Sequence, residues 1–251
     1  MLPSNVYEWL VLTEIVLAVL TAVGLKFVVA PYGRHNRAGW GPTVPARVGW
    51  VVMESPAVLA FLGIYLAGSN RAQVVPLVLL GLWQLHYVQR TFVFPFLMRP
   101  GARMPVTLVL MAISFNLLNA YINARWISEL GNYRVSWLAD PRFLLGVAIF
   151  LGGYWLNRSA DRTLRGLRKP GETGYKIPQG GMYRWVSSPN YLGEIIEWFG
   201  WALATWSMAG LAFALYTTAN LAPRAIQHHR WYHEQFPDYP ADRRALVPYV
   251  V

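Results

Sequence analysis

The sequence contains no cysteine, so disulfide bonds, thiolate nucleophiles and zinc sites with cysteine ligands are excluded. Charged residues are scarce as well. They form 14% of the chain, whereas a soluble domain averages about 25%. The chain also lacks a G-x-S-x-G nucleophile motif, a P-loop and a G-x-G-x-x-G turn. Hydrolases built on the first motif, and nucleotide sites of the P-loop or Rossmann type, are therefore not expected.

Long apolar runs dominate what is present. Hydrophobic residues make up 55% of the 251 residues and aromatic residues 15%. Several runs reach the roughly 20 residues that a transmembrane helix needs. The opening segment "MLPSNVYEW" has no basic residue, so we interpret the first run as a membrane span rather than a cleaved signal peptide. The twelve Trp and fourteen Tyr fit interfacial belts, with some left to line the interior.

We expect an all-α integral membrane protein of one domain with seven transmembrane helices. Clusters of Pro and Gly, and polar loops, separate the apolar runs. The expected helices are residues 6–30, 46–68, 73–98, 104–127, 141–168, 190–208 and 209–235. The longest polar segment follows the fifth helix, at residues 166–189.

Basic residues favour one side of these helices. The segments on that side are 31–48, 98–103, 158–189 and 236–251. They hold 14 Lys and Arg, against two in the loops 68–72 and 128–140. The positive-inside rule makes the basic side cytoplasmic, which predicts an N-terminus outside and a C-terminus in the cytoplasm. The formal net charge of +10 has the same origin, and no basic module interleaved with aromatics indicates nucleic-acid binding.

Ionisable residues at membrane depth are costly unless paired or neutral, so they are candidate functional groups. Glu54 stands alone in "WVVMESPAVLAFLGIYLAG" (residues 50–68), with no basic residue within two turns of its own helix. We therefore expect its carboxyl to be protonated and able to donate a hydrogen bond to a developing oxyanion. The alternative is a neutral structural carboxyl bonded to a neighbouring helix. Glu14 lies near the outer end of the first span, and we expect it to reach water there.

The stretch "LHYVQRTFVF" (residues 85–94) places Tyr87 and Arg90 three residues apart, on one face of the third helix. A Tyr hydroxyl can donate to an oxyanion, and an Arg at this depth implies an anionic partner or a wet cavity. By itself this stretch is a weak signal.

Three later helices carry polar residues at helical spacing. The fifth carries Asn157, Asp161, Arg165 and Arg168, the sixth Asn190, Glu194 and Glu197, and the seventh Arg224, His228 and Tyr232. Helix ends that are merely solvated would not need such matched stripes, so we expect one shared polar pocket on the cytoplasmic side. Arg side chains suit phosphates, and Asp, Glu and Asn suit ribose hydroxyls and a carboxamide. The expected ligand is a dinucleotide held outside any Rossmann fold.

His229 and His233 are four residues apart, which is a metal-ligand spacing. A metal site needs three or four ligands, and the chain has no other His cluster. A bound metal is therefore not expected.

At these residues the sequence resembles the steroid 5α-reductase family, the 3-oxo-5α-steroid 4-dehydrogenases. The segments that carry the resemblance are "KPGETGYKIPQGGMYRWVSSPNYLGEIIEWFGWALATWSMAGLAFAL" (169–215), "HHRWYHEQFPDYPADRRALVPYV" (228–250), "LHYVQRTFVF", "YGRH" (32–35) and "WVVMES" around Glu54. They occur in one order over most of the chain, densely beyond residue 155, and the C-terminal half is most similar to the type 2 member. The chain looks like a bacterial-type homologue.

The resemblance implies NADPH-dependent reduction of the C4=C5 double bond of a Δ4-3-oxosteroid, or of a similar enone lipid, to the 5α-product. It makes Glu54 and Tyr87 the catalytic pair that hydrogen-bonds the 3-carbonyl, and Trp50 a substrate-lining aromatic. The cofactor-site positions it implies are Asn157, Asp161, Arg168, Tyr175, Asn190, Glu194, Glu197, Arg224, His228 and Tyr232, with Arg90 and Arg103 near the phosphates. We add Arg165 to these expected cofactor residues because it lies on the polar stripe of the fifth helix.

Two features depart from the family pattern. Met53 stands where the type 2 pattern has a polar Gln, and the fourth helix does not align cleanly. Residues 1–127 would form the substrate side of the domain, and residues 141–251 the NADPH-binding region. We expect a monomer surrounded by membrane lipid, in a bacterial inner membrane or an endoplasmic reticulum, with its cofactor site facing the cytoplasm.

Three alternatives remain open on the sequence. Sterol C14-reductases and isoprenylcysteine methyltransferases resemble the C-terminal region, and a non-catalytic lipid-binding membrane protein would bind no nucleotide. S-adenosylmethionine has no phosphate, so a methyltransferase would leave the inward Arg residues unexplained. A sterol C14-reductase would keep NADPH and change the double bond that is attacked.

Overall fold

The computed structural model describes residues 4–31, 33–35, 37–99, 101–169 and 171–250. Most of them are helical, which confirms the expected fold class at that level. Tyr32, the first residue of the "YGRH" segment, lies outside the described residues.

Each of the seven expected helical segments contains one long helix. The helices are α1 Ser4–Phe27, α2 Ala46–Leu66, α3 Val74–Val88, α4 Phe94–Leu97, α5 Val106–Arg125, α6 Pro141–Gly166, α7 Pro189–Thr205 and α8 Met208–Gln235. A π-helical turn, Gln89–Val93, joins α3 to the short helix α4. A second π-helical turn, Trp126–Leu130, extends α5. Such turns occur often at functional sites, and the first one follows Tyr87 almost directly.

Among the described residues, three segments are long and apolar enough to cross a bilayer: Asn5–Phe27, Ala46–Leu66 and Val106–Leu130. The other long helices are shorter or more polar. Regular α-helix in α3 ends after 15 residues at the π-helical turn, and α7 has 17 residues. The 26-residue α6 and the 28-residue α8 carry the polar stripes in their second halves.

The boundary between the last two helices lies slightly before the expected break at Met208–Gly210. Trp206 adopts a left-handed backbone conformation with φ 45°, which ends α7. The Ser207 hydroxyl oxygen then accepts a hydrogen bond from the Gly210 N–H at 2.9 Å and caps α8. The surrounding residues are mostly apolar, so hydropathy alone does not locate this turn.

Two short strands tie the starts of α2 and α5 together. The strand β1 (Thr43–Pro45) pairs antiparallel with β2 (Arg103–Pro105), with Val44 opposite Met104. No strand is expected from the sequence at either place, and the expected fourth helix begins at residue 104, within β2. Because each strand leads directly into a helix, the pairing sets α2 beside α5, and the two helices then pack extensively on each other.

An aromatic cluster fills the space between α2, α3 and α7. Trp83 stacks on Phe61 with ring centroids 4.3 Å apart, and its ring lies 5.3 Å from that of Trp198 and 5.2 Å from that of Trp201. All four side chains are fully buried. Trp83 Nε1 donates to the Ala57 carbonyl oxygen at 2.8 Å, so the polar atom of this buried indole is satisfied. The expectation that some tryptophans line the interior is confirmed.

The helices α6 and α7 form the most extensive helix pair of the described structure. Gly146 and Gly153 of α6 interlock with Gly193 and Gly200 of α7. A Cβ atom at any of the four would overlap a backbone nitrogen of the facing helix. Small residues allow such close approach between helices in membranes. The contact brings the polar stripes of the two helices side by side.

Asp140 caps α6 at its other end. The Asp140 carboxylate accepts hydrogen bonds from the backbone N–H of Arg142 at 2.9 Å and from the Arg142 guanidinium at 2.8 and 2.9 Å. These hydrogen bonds from Arg142 lower the pKa of Asp140 to about 2. The carboxylate therefore stays ionised beside the positive end of the helix, as a cap should.

Replacing Gly153 by Ala should lower the thermal stability, because the added methyl group would press on the backbone of α7 at Glu197. Overpacking of this kind costs roughly 1–3 kcal/mol. Gly152→Ala is the matched control, since a Cβ at Gly152 meets nothing within 4 Å. Thermal unfolding of the two purified variants in one detergent measures the difference. Equal melting temperatures would contradict the close approach of the two backbones.

Candidate functional site

A cavity of about 940 Å³ lies between the helices. All eight helices named above contribute to its wall: α1 and α5 supply mostly apolar side chains, and α6 and α7 mostly polar ones. Its volume is at the upper end of the roughly 300–1,000 Å³ that ligand pockets span. The cavity is therefore large enough for a lipid-like molecule and a polar ligand together.

The three residues expected on the substrate side all line this cavity: Trp50, Glu54 and Tyr87. Tyr87 is 4% exposed, and its ring lies 4.9 Å from that of Trp83. The Glu54 carboxyl accepts a hydrogen bond of 3.4 Å from Asn116 Nδ2 on α5. Hydrogen-bond donors set in an apolar wall suit a carbonyl oxygen that gains negative charge.

Arg90 connects this side of the cavity to the polar stripes. It lies in the π-helical turn after α3. Its guanidinium nitrogens are 3.4 Å from Asp161 Oδ2 on α6 and 3.8 Å from Glu194 Oε2 on α7. The guanidinium also lies over the ring of Trp50, 4.9 Å from its centroid. Arg90 thus has acidic partners and also lines a cavity, the two features that its sequence position led us to expect.

The polar stripes of α6 and α7 meet through direct hydrogen bonds. Asn190 Nδ2 donates to Asp161 Oδ1 at 3.2 Å. Asn157 Nδ2 donates to Glu194 Oε2 at 3.2 Å and to the Asn190 backbone oxygen at 3.0 Å. Carboxylates and amides from two helices thus form one continuous polar surface.

Basic side chains surround this polar surface. Arg165, Arg168 and Arg224 line the cavity, as does Arg99 from the segment after α4. Arg224 Nη2 donates to the Tyr191 hydroxyl at 2.9 Å, which joins the stripe of α8 to α7. Arg165 Nη1 is buried and has no hydrogen-bond partner within the described part of the chain. A buried donor without a partner is costly, so this atom suits an anionic ligand.

The loop after α6 is held against the cavity by the same arginines. The Arg99 guanidinium donates to the backbone oxygens of Arg168 at 2.5 Å and Glu172 at 2.9 Å. Arg168 Nη1 donates to the Gly174 backbone oxygen at 2.6 Å. These bonds fasten a glycine-containing loop to two arginines of the cavity wall.

Six of the expected cofactor residues are absent from the cavity wall: Arg103, Asn157, Tyr175, Glu197, His228 and Tyr232. Asn157 supports the wall from behind through its bonds to Asn190 and Glu194. The Arg103 guanidinium bonds Thr43 across the strand pair, with Nε 2.8 Å from Oγ1 and Nη2 2.6 Å from the backbone oxygen. Arg103 thus fastens β1 to β2 at the start of α2 and α5.

Glu197 forms a buried pair with His86. Glu197 Oε1 lies 2.8 Å from His86 Nδ1, and the two side chains are 0% and 4% exposed. His86 lines the cavity, and its ring packs edge-on against that of Tyr87, with centroids 4.9 Å apart. Glu197 is therefore placed to act on the cavity through His86.

Tyr175, His228 and Tyr232 belong to a cluster beside the cavity. The Arg34 guanidinium lies 4.7 Å from the ring centroid of Tyr232 and 5.4 Å from that of Tyr175. It also donates to the Tyr232 hydroxyl at 3.3 Å. His35 stacks on His228 with ring centroids 5.3 Å apart. The cluster fastens the turn that carries Arg34 and His35 to the end of α8.

Among the described residues, no group of three or more His, Asp or Glu side chains is arranged to hold a metal ion. His229 Nδ1 instead lies 2.6 Å from the Ser187 hydroxyl oxygen. His233 packs edge-on against Tyr239, with ring centroids 4.9 Å apart. The two histidines thus join α8 to the segment before α7 and to the C-terminal tail.

The family model described as 3-oxo-5-alpha-steroid 4-dehydrogenase matches residues 102–251. The chain belongs to this family. It is 45% identical to 3-oxo-5-alpha-steroid 4-dehydrogenase 1 of Bos taurus over 242 residues, which cover 95% of this chain and 94% of the relative. It is 43% identical to steroid 5-alpha-reductase DET2 of Gossypium hirsutum over 253 residues, 98% of each chain. With the Homo sapiens type 1 protein it shares 44% identity over 221 residues, 87% of this chain and 85% of the relative.

These matches confirm the predicted family and the predicted enzyme class, an oxidoreductase acting on CH–CH groups. The three relatives carry the type 1 and DET2 names. The expected likeness of the C-terminal half to the type 2 member stays a prediction. With three helices apolar and long enough to cross a bilayer, this 3-oxo-5-alpha-steroid 4-dehydrogenase family member is a helical membrane protein.

The cavity wall of this family member also contains polar residues that are not among the predicted site residues, such as Asn116 and Arg99. A signal for the first was available: Asn116, Asn119 and Asn123 recur at helical spacing along an otherwise apolar helix. Arg99 gives no comparable signal, because it stands in a loop where basic residues are expected anyway.

The expectation for Glu14 is wrong. Glu14 stands in the middle of α1, and its side chain is fully buried within the protein. Neither carboxyl oxygen has a hydrogen-bond partner among the described residues. Hydropathy indicates depth along a helix but not its neighbours, and α8 and α5 cover this face of α1.

Replacing Arg90 by Met should destabilise the protein strongly, because it leaves Asp161 and Glu194 without their cation. Breaking a buried ion pair costs roughly 3–5 kcal/mol. Arg142→Met is the matched control, since Arg142 is 42% exposed in its pair with Asp140 and exposed pairs contribute about 0–1 kcal/mol. Thermal unfolding in detergent compares the two. If both variants melted at the same temperature, the ion pairs of Arg90 would have no structural role.

Proposed function

We propose that this membrane enzyme uses NADPH to reduce the C4=C5 double bond of a Δ4-3-oxosteroid, or of a similar enone lipid, to the 5α-product. The observation that carries the proposal is a single cavity that Glu54 and Tyr87 share with the basic and acidic side chains of α6 and α7. The names of relatives at 43% and 45% identity over nearly the whole chain support the same reaction.

The polar side of the cavity fits a dinucleotide phosphate. Arg165 Nη1, buried without a hydrogen-bond partner among the described residues, suits a phosphate oxygen. Asn190, Asp161 and Glu194 offer the amides and carboxylates that ribose hydroxyls and a carboxamide require. When bound, NADPH supplies a hydride equivalent. The residues proposed to form or support this site are Arg90, Arg103, Asn157, Asp161, Arg165, Arg168, Tyr175, Asn190, Glu194, Glu197, Arg224, His228 and Tyr232.

On this proposal Glu54 and Tyr87 both donate hydrogen bonds to the 3-oxygen of the substrate. The two bonds draw electron density away from C5, so that this carbon accepts the hydride. Negative charge then moves to the 3-oxygen, where the same two donors stabilise it. A proton added at C4 completes the reduction, so one hydride and one proton are consumed for each double bond. Loss of one oxyanion donor lowers the rate by on the order of 10²–10³-fold.

Trp50 is proposed to line the substrate. Its Nε1 atom is buried and has no hydrogen-bond partner among the described residues, and its ring packs on Phe94 with centroids 5.2 Å apart. An aromatic ring with one polar atom suits a lipid that is apolar except at its carbonyl. The surrounding apolar side chains exclude water from the reacting carbons.

We further propose seven membrane spans, with the N-terminus outside and the C-terminus in the cytoplasm. The concentration of Lys and Arg in the segments 31–48, 98–103, 158–189 and 236–251 supports this orientation. The cofactor would enter from the cytoplasm and the substrate from the lipid. Residues 1–127 would then serve the substrate and residues 141–251 the cofactor, within one monomeric domain of a bacterial inner membrane or an endoplasmic reticulum.

Product analysis tests the reaction. The purified protein in lipid nanodiscs is incubated with a Δ4-3-ketosteroid and NADPH, with NADH in parallel, and the products are identified by mass spectrometry. We expect the 5α-dihydro product, formed faster with NADPH because NADH lacks the additional phosphate. Reduction of a Δ14 sterol in place of the ketosteroid would assign a C14-reductase, and absence of any nucleotide oxidation would contradict the proposal.

Within this reaction, Glu54→Gln should keep more activity than Glu54→Asp or Glu54→Leu. The amide of Gln still donates a hydrogen bond at the same reach, whereas Asp is shorter and Leu has no donor. The measurement is the rate of NADPH-dependent ketosteroid reduction by each purified variant. Wild-type turnover in all three Glu54 variants would contradict the proposal that Glu54 stabilises the oxyanion.

A further inference from the structure

Asn116 lies on α5 where that helix packs against α2. It is 5% exposed and lines the cavity. Its Nδ2 atom donates to the Met53 backbone oxygen at 2.7 Å and to Glu54 Oε2 at 3.4 Å. An amide NH₂ group has two hydrogens, so both bonds form at once. A carbonyl oxygen can only accept, so the bond to Met53 also establishes which end of the Asn116 amide faces α2.

The face of α5 that carries Asn116 is anchored to α7. About two turns further along, Asn123 Nδ2 donates to Asn119 Oδ1 at 2.7 Å. Asn123 Oδ1 in turn accepts a hydrogen bond from Trp201 Nε1 at 2.8 Å. All of these side chains are buried. A bonded network of this kind limits rotation of α5, so the Asn116 amide has a defined direction.

The direction of this bond has a consequence for the Glu54 carboxyl. The Asn116 N–H group only donates, so Glu54 Oε2 must accept. A protonated carboxyl has one hydroxyl oxygen and one carbonyl oxygen, and the carbonyl oxygen is the better acceptor. The proton of Glu54 is therefore favoured on Oε1, which leaves Oε1 to donate to a bound carbonyl.

We propose that Asn116 is a positioning residue that holds the Glu54 proton on Oε1 and so presents Glu54 to the substrate as a hydrogen-bond donor. This inference rests on the proposed function of Glu54. It assigns a role to the one expected helix that does not align with the family pattern. A purely structural Asn116 would affect stability through its bond to Met53 but would not act through Glu54.

The kinetic test uses Asn116→Leu, which keeps the approximate shape and removes the donor, and Asn116→Ala, which removes the whole amide. Asn119→Asp is the control on the same helix. Asn119 Nδ2 has no hydrogen-bond partner among the described residues, and Asp keeps the oxygen that accepts from Asn123. The loss of one hydrogen bond predicts that kcat for ketosteroid reduction falls on the order of ten-fold in both Asn116 variants. The KM for NADPH should be unchanged, and the control should keep the wild-type kcat.

The same substitutions are then made in a Glu54→Leu background, where Tyr87 still supports a slow reaction. Asn116→Ala should cause no further loss there. An equal proportional loss in this background, or a wild-type kcat in the single variants, would overturn the inference. Wild-type turnover of Glu54→Leu itself would instead remove the proposed function of Glu54.

An infrared measurement gives a readout that does not need activity. The carbonyl band of the protonated Glu54 carboxyl is identified by its disappearance in Glu54→Gln. It should shift to higher frequency in Asn116→Ala, because the carbonyl oxygen loses its hydrogen bond, and should stay in place in Asn119→Asp. An unshifted band in Asn116→Ala, or no such band in the wild-type protein, would overturn the inference.

Discussion

The structure depends on the ion pairs that Arg90 forms with Asp161 and Glu194. A guanidinium group buried inside a membrane protein is costly unless it is paired. Its two carboxylate partners come from two helices, so α3, α6 and α7 must converge at one point. The π-helical turn after α3 carries Arg90 into this position, just beyond Tyr87. The requirement to pair one charge thus brings the apolar and polar sides of the cavity into contact.

Close helix packing makes this convergence possible. Glycines 146, 153, 193 and 200 let the backbones of α6 and α7 approach until their polar stripes hydrogen-bond directly. On the other side, the strand pair β1–β2 sets α2 beside α5, and the aromatic cluster around Trp83 fills the space behind Tyr87. The helices α6 and α7 are therefore held together by close backbone contact, whereas large aromatic side chains fill the space on the other side. The cavity is the space that remains between them.

Much of this architecture follows from local patterns. Apolar length and the breaks between runs predict the seven helical segments, because a helix that meets lipid must satisfy its backbone internally. Helical spacing predicts the three polar stripes. Residues that act across helices are less predictable. Glu197 lies on the expected stripe, but its partner is His86 on another helix, and Asn116 reaches Glu54 only because α5 packs on α2. For Glu14, its position along the helix predicts contact with water, but packing against other helices buries its side chain completely.

The sequence by itself determined the family, the enzyme class and the helical segments, because long ordered motifs and apolar periodicity are properties of the chain read locally. Only the tertiary structure decided which stripes line the cavity, that Arg90 has two acidic partners, and that Glu54 has a companion in Asn116. Those contacts join residues 62 or more positions apart in the chain. They depend on helix packing angles, which no local pattern reports, and on the close approach of α6 and α7 at four glycines. The sequence shows these glycines but not the helix that each of them faces.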